Sequence, residues 1–146
     1  MSLCMYARIA PMCITKEILD KVISGYFLPD NGMICEINMD GVFYEKISKK
    51  DNIAITFCHK RKPPFNFYDS DIINGGFEYM QLIIFDIQKD TCSIDEYKSI
   101  IKFCIYLQKQ NACEILITSD VHDEICFLSN QGIIWSPQIE KLFKIN

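Results

Sequence analysis

The run F-E-Y-M-Q-L-I-I-F-D-I, residues 77 to 87, constrains the fold most. It is the longest strand candidate in the chain, and its centre is apolar at consecutive positions instead of alternate ones. Such a strand carries apolar side chains on both faces, which predicts a middle position in a sheet. Shorter candidates surround it. C-M-Y-A-R-I-A (4 to 10) reads as a first strand, and N-I-A-I-T-F-C (52 to 58) alternates with Ile53, Ile55 and Phe57 on one face. M-I-C-E-I-N-M and V-F-Y-E-K-I flank Asp40-Gly41, a dipeptide that tolerates positive φ and so signals a hairpin. E-I-L-I-T-S, E-I-C-F-L-S and G-I-I-W supply further strands towards the C-terminus.

Three helices are predicted between and after these strands. Thr15 can cap a helix whose face is Ile18, Leu19, Val22, Ile23, Tyr26 and Phe27, ended by L-P-D-N-G at 28 to 32. Cys92 to Gln110 is the clearest helix: Ser93 and Glu96 form an S-x-x-E capping box, and Tyr97, Ile100, Ile101, Cys104 and Leu107 make its buried stripe. Ser136 and Pro137 start a short closing helix carrying Ile139, Leu142 and Phe143, with proline at a favoured first position. The order is β-α-β-β-β-β-α-β-β-β-α, with short turns between most strands. The expected fold is therefore α+β: a largely antiparallel sheet, two main helices packed on one face and a short C-terminal helix. A chain of 146 residues with 49% hydrophobic content fits one domain, residues 1 to 146.

Compartment and charge narrow the function. The N-terminus lacks a basic start and Arg8 interrupts its apolar run, unlike a secretory signal, and no stretch is apolar enough for a membrane span. A cytoplasmic location is expected. Cysteines at 4, 13, 35, 58, 92, 104, 113 and 126 include no C-x-x-C pair, and most lie inside apolar runs. They read as small buried hydrophobes in a reducing compartment, not as zinc ligands or bridges. The net charge of −4 and pI near 5.1 disfavour direct binding of nucleic acid and suit a basic protein partner.

Two segments carry possible chemistry. In S-D-V-H-D-E, an extended backbone would set Asp120, His122 and Glu124 on one side, a potential metal or acid–base triad. The same segment lies between two strand-like runs, and the reading preferred is an acidic hairpin tip. H-K-R-K-P-P-F-N-F-Y-D-S-D-I-I-N-G-G (59 to 76) reads as one long connection, either a binding loop or a cover whose aromatics plug the core. Signatures such as G-x-S-x-G, a P-loop, G-x-G-x-x-G or H-E-x-x-H are missing, and nothing singles out one cysteine as a nucleophile for His59 or His122. The expectation is a non-catalytic binding protein with no cofactor and no metal. Its candidate binding residues are the acidic Asp120, Asp123 and Glu124 and the aromatic Phe65, Phe67 and Tyr68.

The succession of Y-A-R-I-A-P, a T-x-E helix, the F-E-Y-M-Q-L-I-I-F strand, a long amphipathic helix and E-I-L-I-T-S-D-V-H-D-E-I-C-F-L-S-N-Q-G-I-I-W-S-P-Q-I-E-K-L-F resembles the Sit-type (swarming inhibition) immunity proteins. These belong to bacterial polymorphic-toxin systems and share a role with contact-dependent inhibition immunity proteins. The likeness spans nearly the whole chain and includes the paired-strand end followed by a tryptophan and a leucine, here Trp135 and Leu142. The acidic turn, the H-K-R-K-P-P stretch and the many cysteines depart from that pattern. The resemblance implies a cytoplasmic protein that binds a cognate toxin domain and blocks it, and it implies no catalytic residues. Free thiols and an acidic surface facing a basic, nucleic-acid-attacking toxin fit this expectation. The alternatives are a small enzyme with a metal or thiol site around Asp120, His122 and Glu124, and an adaptor subunit with an unrelated partner.

Overall fold

The computed structural model describes residues 2–10, 15, 18, 34–38, 41–48, 53–59, 66–88, 94–121 and 123–140, with the backbone alone in 2, 34–38, 41–48, 53, 54, 59, 88 and 94–96. Among the described residues there are ten strands and one helix: β1 Ser2–Ala10, β2 Ile34–Asn38, β3 Gly41–Ser48, β4 Ile53–His59, β5 Asn66–Ser70, β6 Gly75–Tyr79, β7 Gln81–Gln88, α1 Ile94–Asn111, β8 Glu114–Ser119, β9 Asp123–Ser129 and β10 Gly132–Trp135. Eight strands make one antiparallel sheet in the order β10-β9-β8-β1-β7-β4-β3-β2, and β5 pairs with β6 in a second, two-stranded sheet. The apolar run around Ile83 lies in β7, between β1 and β4. β2 pairs with β3, Asn38 standing opposite Gly41.

Strand periodicity assigns the two faces. Met5, Ala7 and Ile9 of β1, Ile83, Phe85 and Ile87 of β7, Ile115 and Ile117 of β8, and Ile55 and Phe57 of β4 fill one face. Against them packs the stripe Tyr97, Ile100, Ile101, Cys104 and Leu107 of α1, joined by Phe103, whose ring meets Phe85 edge-on at 5.8 Å. The opposite face carries the even-numbered residues of β1. The β5–β6 hairpin lies over it, and Phe77 packs on Leu116 and Phe127 with Tyr68, Ile72 and Tyr79 around them.

The expected balance of helix and sheet is corrected by this architecture. The protein is mostly β, with a single helix among the described residues, not two main helices on one face plus a C-terminal one. The predicted N-terminal helix falls outside the described residues except at Thr15 and Ile18; there the Ile18 N–H donates to Thr15 Oγ1 at 3.2 Å, a capping geometry. Residues 137–140 form a turn in which the Ile139 and Glu140 N–H groups share the Ser136 carbonyl at 3.0 and 3.1 Å; Leu142 and Phe143 lie outside the described residues.

Two further readings change. Residues 66–76, read as part of one long connection, supply β5 and the start of β6. The run 77–87 is not one strand: it bends at Met80 and leaves the small sheet for the large one. Asn74 explains the hairpin, because it adopts a left-handed φ of 53° before Gly75 and so closes the turn that starts at Asp71. The outer side of this hairpin is also shaped by Phe67, whose ring lies where a Cβ at Gly76 would stand.

Phe103 is fully buried whereas Phe67 is 64% exposed. Phe103→Ala should cost about 3–5 kcal/mol, whereas Phe67→Ala should stay within about 0.5 kcal/mol. Urea unfolding of the two variants, compared at equal m-value, tests the assignment of core and surface.

Candidate functional site

A one-residue irregularity builds the most polar part of the structure. Cys126 stands opposite Ile117 and Glu124 opposite Thr118, so β9 spends one extra residue, Ile125, where β8 spends none. Without this bulge the alternation would send Glu124 to the helix side, into the apolar core. With it, Ile125 is buried in that core and Glu124 lies on the hairpin side, only 9% exposed.

Glu124 is held there by the hairpin. The Ser70 hydroxyl donates to its Oε1 and the Asp71 N–H donates to Oε2 at 3.0 Å. Ser70 in turn accepts the Ile73 N–H at 3.4 Å, so one carboxylate organises the turn that begins at Asp71. Arg8 is the second tie. Its Nη1 donates to Thr118 Oγ1, and its Cζ stands 5.3, 4.5 and 5.5 Å from the ring centroids of Tyr6, Tyr68 and Tyr79. Two of those rings belong to the hairpin, and cation–π attraction draws it onto β1. The Arg8 Nε is buried without a hydrogen-bond partner, which leaves the ring faces as its compensation.

Asp120 has a separate role. Its carboxylate accepts the Cys4 N–H at 3.2 Å and the Tyr6 hydroxyl at 3.0 Å, and its own N–H donates to the Cys4 carbonyl at 3.1 Å. It therefore pins the turn after β8 to β1. Burial, then the hydrogen bond to Asp120, push the Tyr6 hydroxyl up to about 12 from an ordinary 10.0, because the protonated form is the donor.

Of the six residues chosen from sequence, four come to one corner and divide by role. Glu124 and Tyr68 are half or fully buried between hairpin and sheet, and the nearby Glu124 carboxylate raises the Tyr68 hydroxyl after burial itself. Asp120 is exposed but bonded to β1. Asp123 is exposed, with a left-handed φ of 54° that aspartate tolerates, and it lines an open groove. Phe67 is exposed on the outer side of the hairpin, and Phe65 lies outside the described residues.

The groove has a volume of about 590 Å³ and runs between the hairpin turn and β10. Asp71, Asp123 and Glu124 line it together with Ile72, Ile134 and Trp135. Sequence reasoning missed Arg8, Ser70, Asp71 and Trp135 as parts of this corner. Asn74-Gly75 between Y-D-S and G-F-E-Y was the available signal for the hairpin that unites them.

Compared with protein-family models, curated proteins and solved structures, the chain matches none. The site therefore has to be read from its own chemistry. Asp120 and Glu124 bond different elements, β1 and the hairpin, while His122 lies outside the described residues. Among the described residues no group of three potential ligands converges on a point. Thiols that could act as nucleophiles need a lowered pKa. Burial instead raises Cys104 well above its ordinary value and Cys126 to about 12, and burial followed by the Asp86 charge raises Cys4.

Glu124→Ala should cost about 1–3 kcal/mol, since the Ser70 hydroxyl and the Asp71 N–H lose their acceptor at a buried site; Asp123→Asn should be nearly neutral. Chemical denaturation checks both. A pH effect follows from Tyr6. The unfolded chain loses this proton near 10.0 and the folded chain near 12, so its contribution is complete below 10.0 and is lost as the pH rises through 12. Thermal melts across that range should fall less steeply in Tyr6→Phe than in the parent.

Proposed function

We propose that the protein is a non-catalytic immunity protein of the Sit type, which binds and neutralises a cognate, basic, nucleic-acid-attacking toxin domain in the cytoplasm. The observation that supports it is the groove at the hairpin–β10 corner. It combines the carboxylates of Asp71 and Asp123 with the apolar Ile72, Ile134, Trp135 and Pro137. An apolar centre with charges at its rim is how protein interfaces are built, with anchors giving affinity and rim charges setting association rate. The net charge of −4 adds long-range attraction for a basic partner. No helix among the described residues is long and apolar enough to cross a membrane. An adaptor with an unrelated partner would use the same surface, and the identity of what binds separates the two readings.

The decisive experiment is co-expression with the C-terminal domain of a toxin encoded immediately upstream. The parent chain should restore growth and form a stable complex; failure of both would reject the immunity role. The exposed carboxylates are the ones to change, because Asp120 and Glu124 hold the fold. Asp71→Asn with Asp123→Asn should slow association with the toxin domain and flatten its dependence on salt, with melting temperature unchanged. Stopped-flow association at several salt concentrations reads this directly.

A further inference from the structure

The edge of the large sheet at β10 has features that the surrounding corner does not use. β10 pairs with β9 on one side and, among the described residues, with nothing on the other. The Ser136 N–H donates to the Ile125 carbonyl at 2.9 Å. Continuing the register through Ile134 opposite Phe127 and Gly132 opposite Ser129, the inward-bonded positions are 132, 134 and 136. The backbone N–H and C=O groups of Ile133 and Trp135 therefore point outwards, away from β9. Natural edges are usually blunted by lysine, proline or a bulge. β10 is Gly-Ile-Ile-Trp, with Ile133 39% and Ile134 49% exposed, and the bulge of this region sits on β9 instead.

A groove lies at each end of this edge. The 590 Å³ groove holds Asp71, Asp123 and Trp135, and a second, of about 410 Å³, is bordered by Glu114, Gln131, Ile133 and Ile134. Ile134 lines both, so the two flank one side chain of the strand. No lysine or arginine lines either one among the described residues. A row of backbone donors and acceptors that no described strand pairs with, flanked by apolar side chains and terminated at both ends by carboxylates, has one natural complement.

We propose that β10 accepts an extended, lysine- or arginine-containing segment of the protein partner as an added strand, its backbone bonding Ile133 and Trp135 and its cationic side chains entering the two grooves. Main-chain bonds supply affinity in this mode, and alternate side chains supply specificity. A second copy of this chain fits less well, because edge-to-edge pairing would bring the Asp71, Asp123 and Glu114 carboxylates of two acidic molecules together. The inference rests on the reading that the partner is a basic protein, and it adds the place and mode of docking.

The test uses a short acetylated peptide alternating lysine and valine, followed by amide shifts of the labelled protein. The shifts should centre on Ile133, Trp135 and Asp123 and shrink with added salt. N-methylating one alternate set of peptide residues should abolish binding, and N-methylating the other set should leave it intact, since a strand bonds through one edge only. The same peptide with glutamate for lysine should not bind. Ile133→Pro removes an outward N–H without breaking the ladder to β9, as proline is tolerated on edges, and should weaken binding by about tenfold or more. Shifts located elsewhere, equal tolerance of both N-methylated sets, or concentration-dependent self-association through β10 would each overturn the proposal. The immunity reading fails separately. A toxin domain bound equally well by the parent and Ile133→Pro leaves that reading standing and rejects the edge. A toxin domain that is not bound, with peptide docking intact, does the reverse.

Discussion

A sheet strand in an interior position has two faces, and each must be covered by something. For β1 and β8 the helix α1 covers one face, and among the described residues the other is covered by the β5–β6 hairpin. The apolar contact beneath the hairpin is small: Phe77, Leu116 and Phe127 form its buried centre. Polar ties supply the rest, with Glu124 gripping the turn and Arg8 lying among three tyrosine rings. Such groups are costly when buried alone and useful when their bonds are met, and they fix one position for the hairpin where a greasy contact would allow several.

The bulge at Ile125 links this covering to the open surface. It turns Glu124 to the hairpin side, Glu124 orders the turn through the Asp71 N–H, and that turn forms one wall of the groove beside β10. The groove is thus a consequence of how the second face is closed. The turn wall is held by the bond from the Asp71 N–H to the buried Glu124 carboxylate, so the proposed partner would meet a wall that is already formed and lose less ordering entropy on binding.

The elements with strong local periodicity were legible in the sequence. The stripe of α1, the alternation in β4 and the paired runs of β8 and β9 each announce themselves within one element. What was not legible depends on relations between elements. Phe67 and Tyr68 look alike in sequence, yet one points to solvent and the other to Arg8, because the hairpin lies flat on the sheet. Arg8 reads as an interruption of an apolar strand, and only the tyrosines from 68 and 79 explain it. The acidic segment reads as a hairpin tip, whereas Asp123 and Glu124 lie in β9 and the division of its carboxylates follows from a bulge that no spacing rule reveals. Pro137, a good first residue for a helix, here enters a turn over the described residues 137–140.

That division of carboxylates has a consequence for how recognition can vary. Asp120 and Glu124 are bonded to β1 and to the hairpin, so their replacement alters the fold before it alters a contact. Asp71 and Asp123 expose their side chains at the same corner, and the structure uses the Asp71 backbone instead of its carboxylate to meet Glu124. A charge at either position can change with little effect on stability. Fixed and adjustable charges a few residues apart give a surface whose shape is kept by packing while its electrostatic pattern would be free to follow the proposed partner. Discrimination between related partners rests on differences of this kind, since a mismatched rim charge repels the wrong partner without disturbing the groove that receives the right one.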